Sequence, residues 1–214
     1  MQSDSERTDI FLGSFLKGNG DLLEELERKA LEEGVPIIKK PVQGLLRVLL
    51  ELKKPERVLE IGTAVGFSAL FMMENGPENM FLTTIEDFER RFEEAKRNIE
   101  GSGYSGRIDL LFGDANEVLK TLEGSFDLIF MDAAKAQYIN YLPETVRLLS
   151  RGGILIADNC LQDGDILESK FIVERRNRTI HKRMREFLTA VYDSRELEST
   201  VLSIGDGVCV CVKK

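Results

Sequence analysis

The sequence predicts an α/β fold: a doubly wound, mostly parallel seven-stranded sheet with a C-terminal antiparallel hairpin and N-terminal helices. From Arg57 onward, short apolar strands alternate with amphipathic helices, which is typical of a parallel sheet covered on both faces. Near the C-terminus, an Asp-Gly turn at Asp206 and Gly207 separates two apolar runs and indicates a hairpin. Before Arg57, two segments have the apolar spacing of helices.

Two helices are predicted before the sheet begins. Apolar side chains at Leu22, Leu26 and Ala30 recur at four-residue spacing over residues 21–33, and Gly34 follows as a stop. An extended apolar linker over residues 35–38 leads to the second helix. That helix opens on a proline, which is favoured at the first helical position. The proline and the apolar residues after it are Pro41, Leu45, Leu46, Leu49 and Leu52.

The rest of the chain alternates between the two kinds of element. The predicted strands are residues 57–61, 80–85, 107–112, 126–131, 153–157, 200–204 and 208–212. The predicted helices are residues 66–73, a segment with Phe88, Phe92, Ala95 and Ile99 on one face, and residues 115–122, 138–149 and 175–191. We expect one domain over residues 1–214, with a helical extension over 1–54 and the α/β core over 55–214.

Composition narrows the class of protein. Hydrophobic residues make up 43% and charged residues 31% of the 214 residues, which is ordinary for a globular protein and argues against disorder. The N-terminal residues resemble neither a signal peptide nor a membrane helix, so we expect a cytoplasmic protein that does not enter a membrane. Three cysteines, Cys160, Cys209 and Cys211, lack metal-site spacing and are expected to be buried free thiols. The net charge of −8 disfavours nonspecific binding to nucleic acid.

A ligand site is expected where the strands end, because ligands of such folds bind beyond the carboxyl ends of the strands. After the first predicted strand, Gly62 permits a sharp turn and a close approach to a ligand, and Gly66 permits tight packing where a helix begins. The G-x-x-x-G spacing lacks the G-x-G-x-x-G arrangement of dinucleotide sites, so it speaks against NAD. Taken alone, a plain tight turn explains this loop almost as well.

The next two strand ends carry acidic residues. Glu86 follows the second strand, about 20 residues beyond Gly66, where a carboxylate can accept hydrogen bonds from ribose hydroxyls. Gly113 and Asp114 follow the third strand, where Asp114 can accept from an adenine amino group or can simply cap a helix. Together the three strand ends favour a nucleoside ligand without a pyrophosphate.

These residues carry a resemblance to a known family. The run from Glu60 to Ser68, Glu86, Asp114, the Asp-Ala-Ala-Lys segment at 132–135 and Asp158-Asn159 resemble the cation-dependent class I O-methyltransferases, such as those of catechol and caffeoyl-CoA. The match covers roughly Val35 to the C-terminus. It implies a Rossmann-like fold with S-adenosylmethionine as cofactor. The implied cofactor-binding residues are Ile38, Glu60, Gly62, Thr63, Gly66, Ser68, Glu86, Gly113, Asp114 and Asp132.

Within that family, the chain is most similar to the bacterial tRNA 5-hydroxyuridine methyltransferases, which act on the wobble uridine. The similarity rests on the compact length, the Val35-Pro36-Ile37 segment and an arginine-rich segment after Asp158-Asn159. The resemblance implies conversion of 5-hydroxyuridine to 5-methoxyuridine.

A metal site is predicted at the fourth and fifth strand ends. Asp132 ends the fourth strand and Asp158-Asn159 the fifth; because neighbouring strands lie about 4.8 Å apart, the three oxygen donors can converge. Two carboxylates and an amide suit Mg²⁺ or another divalent cation, although Asp158-Asn159 alone can also be a turn. Coordination would activate a substrate hydroxyl for attack on the sulfonium methyl.

Asp132 and Lys135 are the expected catalytic residues. Lys135 resembles the family's proton-accepting lysine, with a solvated surface lysine as the alternative, and Tyr138 is left without a role.

The charge pattern bears on the substrate. Six basic residues without an intervening acid fall on one arc of the last predicted helix: Arg175, Arg176, Arg178, Lys182, Arg183 and Arg185. The opposite arc is apolar: Ile180, Met184, Phe187, Leu188 and Val191. We expect Arg175, Arg176, Arg178, Lys182 and Arg183 to contact RNA phosphates; the alternative is a face that merely balances acidic neighbours. His181 is expected to be a packed or surface residue.

The expected function is therefore S-adenosylmethionine- and metal-dependent O-methylation of 5-hydroxyuridine in a tRNA anticodon loop. The first alternative is O-methylation of a small catechol-like molecule at the same metal site. A nucleotide-binding or NAD-dependent protein is a third possibility, disfavoured by the glycine spacing. We also expect a homodimer through the N-terminal helices, whose apolar content exceeds what one short helix needs.

Overall fold

The computed structural model describes residues 4–169 and 171–214, and within them the strands form one seven-stranded sheet. The strands are β1 (Arg57–Ile61), β2 (Phe81–Glu86), β3 (Ile108–Phe112), β4 (Phe126–Met131), β5 (Leu149–Ala157), β6 (Leu197–Leu202) and β7 (Val208–Lys213). Their order is β3-β2-β1-β4-β5-β7-β6. Strands β1 to β5 run parallel, and β7 pairs antiparallel with both β5 and β6.

Helices cover both faces of this sheet. They are α1 (Asp4–Gly13), α2 (Asp21–Glu32), α3 (Lys40–Lys53), α4 (Phe67–Asn75), α5 (Glu89–Glu100), α6 (Ala115–Thr121), α7 (Tyr138–Leu148) and α8 (Arg178–Asp193). One buried cluster packs helices α2, α3, α4 and α5 against one face of the sheet. A second cluster packs α6, α7 and α8 against the other face. The predicted doubly wound fold with a C-terminal antiparallel hairpin is confirmed.

Element boundaries follow the predictions closely, with four exceptions. Strand β6 spans Leu197–Leu202 rather than residues 200–204. Strand β5 begins at Leu149 rather than residue 153, and its pairing with β4 is irregular between Phe126 and Leu128. The basic helix predicted from Arg175 begins with a separate short 3₁₀ turn, Arg175–Asn177, and α8 follows from Arg178. Helix α1 was not predicted, because its apolar residues lack a consistent helical stripe.

For three apolar residues, the prediction that they lie on a buried helix face is wrong. Leu22 is 38% exposed because Leu23 faces the core of α2 instead, and Leu52 is 76% exposed because Leu50 is the buried residue of its turn. Phe88 is also exposed, since it is the N-cap of α5 and precedes its helical face. In a helix, a shift of one or two residues along the chain turns the side chain from the core side toward solvent.

Two further expectations are testable in the described residues. No helix among residues 4–169 and 171–214 is both long and apolar enough to cross a membrane. The three cysteines are free and buried, as predicted. Cys209 and Cys211 share one face of β7, where their sulfur atoms lie 3.6 Å apart.

Candidate active site at the strand ends

Two neighbouring cavities open at the carboxyl ends of β1, β2, β4 and β5. The smaller, about 150 Å³, lies between the loop after β1 and the ends of β2 and β3, and Glu86, Gly113 and Tyr141 line it. The larger, about 560 Å³, reaches from the same loop to the end of β5 and the turn before β7. Gly62 and Asp132 line both cavities, so the two spaces meet at the point where β1 and β4 end.

The loop after β1 follows a path that requires glycine. Gly62 has φ +100°, and a Cβ atom there would overlap the backbone carbonyl oxygen of Asp132. The backbone N–H groups of Gly62 and Thr63 both donate to the Ile85 carbonyl, at 3.0 and 3.2 Å, which holds the loop against β2. The structure therefore shows a close approach of Gly62 to the end of β4, and its close approach to a ligand stays a prediction.

Glu86 anchors both this loop and the one after β2. Its Oε2 accepts from the Ala64 backbone N–H at 2.8 Å, and its Oε1 accepts from that of Phe88 at 2.9 Å. Each carboxylate oxygen can accept more than one hydrogen bond. Glu86 therefore keeps acceptor capacity toward the small cavity that it lines.

Glu60 lies beneath the loop and is fully buried. The Thr84 hydroxyl donates to its Oε2 at 2.6 Å, and the Thr63 hydroxyl lies 2.5 Å from that of Thr84. Within the described part of the chain, Glu60 Oε1 has no hydrogen-bond partner. Burial raises the pKa of Glu60 to about 8, despite neighbouring hydroxyl groups that lower it.

The three predicted metal ligands line the larger cavity together. Tyr138 joins the two strands that carry them, because its buried hydroxyl lies 3.0 Å from the Met131 carbonyl and 3.1 Å from that of Asp158. Lys135 donates to Asp132 Oδ1 at 2.5 Å and to the Tyr138 hydroxyl at 3.3 Å. A role for Tyr138 was not assigned from the sequence, because nothing local shows that its ring packs inward.

The electrostatics of this cluster suit a cation. Burial, and then repulsion by Asp132, raise the pKa of Asp158 to about 7, so the two carboxylates resist being ionised together. In the described residues, His, Cys, Asp and Glu side chains form no cluster of three that could hold a metal ion. The third oxygen donor of the predicted site is the amide of Asn159. Two carboxylates, one amide oxygen and open cavity space match the preference of a hard divalent cation.

The remaining residues implied for the cofactor fall into two groups: some line the cavities, whereas Gly66, the N-cap of α4, and Asp114 line neither of them. Ile38, Thr63 and Ser68 line the larger cavity, and Gly113, at φ +151°, lines the smaller. Asp114 is exposed and accepts from the Asn116 backbone N–H at 2.8 Å, so the alternative interpretation as the N-cap of α6 is confirmed. Its contact with adenine stays a prediction.

The basic residues between 175 and 185 are partly engaged within the protein itself. Arg178 donates to the carbonyls of Val173 and Phe171, and Arg183 donates to the Ala136 carbonyl at 3.0 Å. Arg176 pairs with Glu174, and Lys182 lies 3.6 Å from Glu186. His181 is buried, with Nε2 3.0 Å from the Glu168 carbonyl, as expected for a packed residue.

Comparison with known proteins decides the family. Residues 16–214 match the family model described as O-methyltransferase. The chain belongs to this family. It is 32% identical over 169 residues to a catechol O-methyltransferase of Niastella koreensis, covering 76% of each chain. A catechol O-methyltransferase of Mycobacterium tuberculosis is 31% identical over 170 residues, which cover 78% of this chain and 77% of that protein.

A solved structure agrees with the fold of this O-methyltransferase. An SAH-bound methyltransferase from Podospora anserina superimposes with a TM-score of 0.89 at 24% identity, covering 100% of this chain and 98% of that one. The family membership makes the protein an S-adenosylmethionine-dependent O-methyltransferase, as the resemblance implied. The compared proteins lend no support to a special closeness to the tRNA 5-hydroxyuridine enzymes.

Proposed function

We propose that this O-methyltransferase acts on a small molecule with two adjacent oxygens, such as a catechol, with the help of a divalent cation. The observation that carries the proposal is the larger cavity. Its lining combines apolar side chains of the linker before α3 with oxygen donors and Lys135. Two similar proteins are catechol O-methyltransferases by name.

The apolar part of this lining suits the ring of such a substrate. The apolar residues are Leu31 of α2 and Val35, Pro36, Ile37 and Ile38 of the linker. The same cavity is lined by Asp132, Lys135, Asp158 and Asn159. A cavity of about 560 Å³ falls within the range of small-molecule sites, which are mostly apolar with a few fixed polar groups. An aromatic ring packed against the apolar residues would leave its two oxygens for the polar ones.

Asp132, Asp158 and Asn159 would hold the cation, and a cation there supplies a positive charge that lowers the pKa of the substrate hydroxyl. The raised pKa of Asp158 supports this assignment, since burial and then repulsion by Asp132 both disfavour its charged form when no cation is bound. Lys135, which pairs with Asp132, supplies one positive charge to this cluster.

We expect Lys135 to accept the hydroxyl proton. It lines the larger cavity, and its Nζ is held by Asp132 and the Tyr138 hydroxyl. As a general base, Lys135 would take the proton in its neutral amine form. Bound S-adenosylmethionine would supply the methyl group, and S-adenosylhomocysteine would leave as the product.

A transfer assay tests this function directly. S-adenosylmethionine with a labelled methyl group is incubated with the protein and catechol, with Mg²⁺ in one arm and EDTA in the other. We expect labelled O-methylcatechol only in the arm that contains the metal. Equal transfer in both arms would contradict the cation, and transfer to phenol as fast as to catechol would contradict the adjacent second oxygen.

A second candidate substrate is 5-hydroxyuridine in a tRNA anticodon loop. The observation that favours it is the exposure of Arg175, Arg176, Lys182 and Arg185 on one side of the chain. Against it, the engagement of Arg178 and Arg183 with backbone carbonyls shows that part of the basic pattern serves packing. The same assay with an anticodon stem-loop carrying 5-hydroxyuridine as acceptor separates the candidates: methylated RNA supports this substrate, and its absence removes it.

We further propose a homodimer through the N-terminal helices. Phe11 and Phe15 of the α1 region are exposed and pack edge to face, and Val48 and Leu52 of α3 are exposed as well. Light scattering should give twice the chain mass of 24.2 kDa. A Leu52→Lys variant should shift toward the monomer; monomeric parent protein at micromolar concentration would contradict the dimer.

A further inference from the structure

The turn between β6 and β7 presses against the segment that carries Asn159. The backbone N–H groups of Cys160 and Leu161 donate to the carbonyls of Gly207 and Asp206, both at 2.8 Å. Gly207 has φ +85°, and a Cβ atom there would overlap the Leu161 side chain. The turn therefore lies in a fixed place directly behind the end of β5.

This contact brings the Asp206 carboxylate to the side chain of Asn159. Asp206 Oδ2 accepts from Asn159 Nδ2 at 3.2 Å, and its Oδ1 accepts from Lys39 Nζ at 2.6 Å. The Asp206 side chain is only 17% exposed. Lys39 precedes α3 and lines the larger cavity, so the carboxylate links the cavity wall to the end of β5.

The chemistry of this bond decides which way the Asn159 amide faces. An ionised carboxylate is an acceptor only, so the amide group directed at Asp206 must be the NH₂. The amide oxygen, on the opposite side of the planar group, is thereby turned away from Asp206. Asn159 also has φ +56°, an uncommon left-handed conformation, so its backbone as well as its amide is constrained.

We propose that Asp206 is a positioning residue: through its hydrogen bond to Nδ2 it fixes the Asn159 amide with the oxygen free to serve as a cation ligand. Lys39, through its ion pair, restrains the Asp206 carboxylate in turn. The inference rests on the proposed function, because only a cation gives the oriented oxygen its use. It adds a residue that supplies no donor atom of its own.

The orientation itself is tested without any metal. In metal-free protein labelled with ¹⁵N, the side-chain amide of Asn159 should show the signals of a group bonded to a carboxylate and slow exchange with water. In Asp206→Ala we expect both to move to the values of a solvated amide. Unchanged signals in the variant would overturn the proposal. Affinity for S-adenosylhomocysteine close to that of the parent verifies that the variant is folded.

Metal affinity tests the consequence. Calorimetry with Mn²⁺ alone should show that Asp206→Ala weakens binding about 10-fold to 100-fold, as for other residues that orient a metal ligand. In an Asn159→Ala background, the same substitution should have less than about a twofold effect, because no amide remains to be oriented. Equal effects in both backgrounds would mean that Asp206 acts by its charge or as a ligand, and would overturn the proposal. If the alanine variant does not fold, Asp206→Leu, which also lacks a hydrogen-bond acceptor, enters the same cycle with the same criterion.

The chain contains a matched control. Asp165 Oδ2 accepts from Asn177 Nδ2 at 3.1 Å, an equivalent carboxylate–amide bond that lies outside the cavity lining. Asp165→Ala removes the same charge and the same kind of bond, and Mn²⁺ affinity should stay within about twofold of the parent. A parent protein that does not bind Mn²⁺ would refute the metal in the proposed function, whereas the amide signals would still report whether Asp206 fixes Asn159.

Discussion

The strand ends and the basic residues of 175–185 both hold dense charge, but the structure treats the two regions differently. At the strand ends, Glu60 and Asp158 are buried, and their pKa values are raised by that burial. Between 175 and 185, five of the six basic side chains are exposed to solvent, where charges interact weakly with the rest of the protein. The fold and the chemistry depend strongly on a charged group that is buried at the sheet and weakly on one that is exposed. The density of charge in the sequence does not distinguish the two.

The largest effect is expected at the oxygen donors. Asp132→Ala or Asp158→Ala should lower the rate of methyl transfer at least about 100-fold, because each removes a charged ligand worth several kcal/mol to the transition state. Thermal unfolding should change little, since burying either carboxylate is unfavourable. The control is Asp109→Ala, an exposed acid on β3, which should keep the parent rate. Full activity of either site variant would show that charge at the strand ends matters no more than charge elsewhere.

Alanine substitutions at two glycines separate the cost of the close contact between Gly62 and Asp132 from the cost of a positive φ. Gly62 and Gly103 both have positive φ, but a Cβ atom at Gly103 meets nothing within 4 Å, whereas one at Gly62 overlaps Asp132. Gly103→Ala should therefore cost about 1 kcal/mol of unfolding free energy for its backbone conformation alone. Gly62→Ala should cost roughly 2 kcal/mol more for the clash and should weaken S-adenosylhomocysteine binding. Equal losses in urea unfolding would contradict the close approach.

The burial of Glu60 predicts a pH dependence of stability. Its pKa is about 8 in the folded protein against 4.5 for an ordinary Glu, so the folded state keeps a proton that the unfolded state has lost between these pH values. The contribution of Glu60 is fully present below pH 4.5 and is lost as the pH rises through 8, by up to about 5 kcal/mol. Glu60→Gln cannot lose this proton, so its unfolding free energy should fall less between pH 5 and pH 9 than that of the parent. Parallel curves for the two proteins, measured without cofactor, would contradict the raised pKa.

The smallest effect on small-molecule turnover is expected from the basic residues. An Arg175→Gln, Arg176→Gln, Lys182→Gln variant avoids the two arginines that bond to backbone carbonyls, and its turnover of catechol should stay within about twofold of the parent. RNA binding, if it occurs, should weaken and lose about one unit of salt-dependence slope for each phosphate contact removed. If the rate of anticodon-loop methylation changed neither with salt nor with the triple substitution, these basic residues would have no role in binding an RNA substrate.

Most of the fold could be predicted from the sequence because the signals are local. Strands β1 and β4 lie where their apolar runs predicted them, and the hairpin follows from the Asp-Gly turn. The errors at Leu22, Leu52 and Phe88 share one cause: adjacent apolar residues in a helix point in different directions, and only the packing against the sheet decides which of them is buried. Glu86, Asp132 and Asp158 follow from the same kind of local pattern, a polar residue at the end of an apolar strand, whereas Ile38, Thr63, Ser68 and Lys135 are implied by the family resemblance.

The sequence by itself determined that acidic and amide side chains stand at the carboxyl ends of parallel strands, since a short apolar run followed by a polar residue is a local pattern. Only the tertiary structure decided how those side chains are held. The Asn159 amide donates a hydrogen bond to Asp206, 47 residues later in the chain. Asp206 in turn accepts a hydrogen bond from Lys39, 167 residues earlier. Each of these bonds depends on the register of β5 with β7 and on the packing of α3, and a pairing across such distances leaves no periodic trace in the sequence.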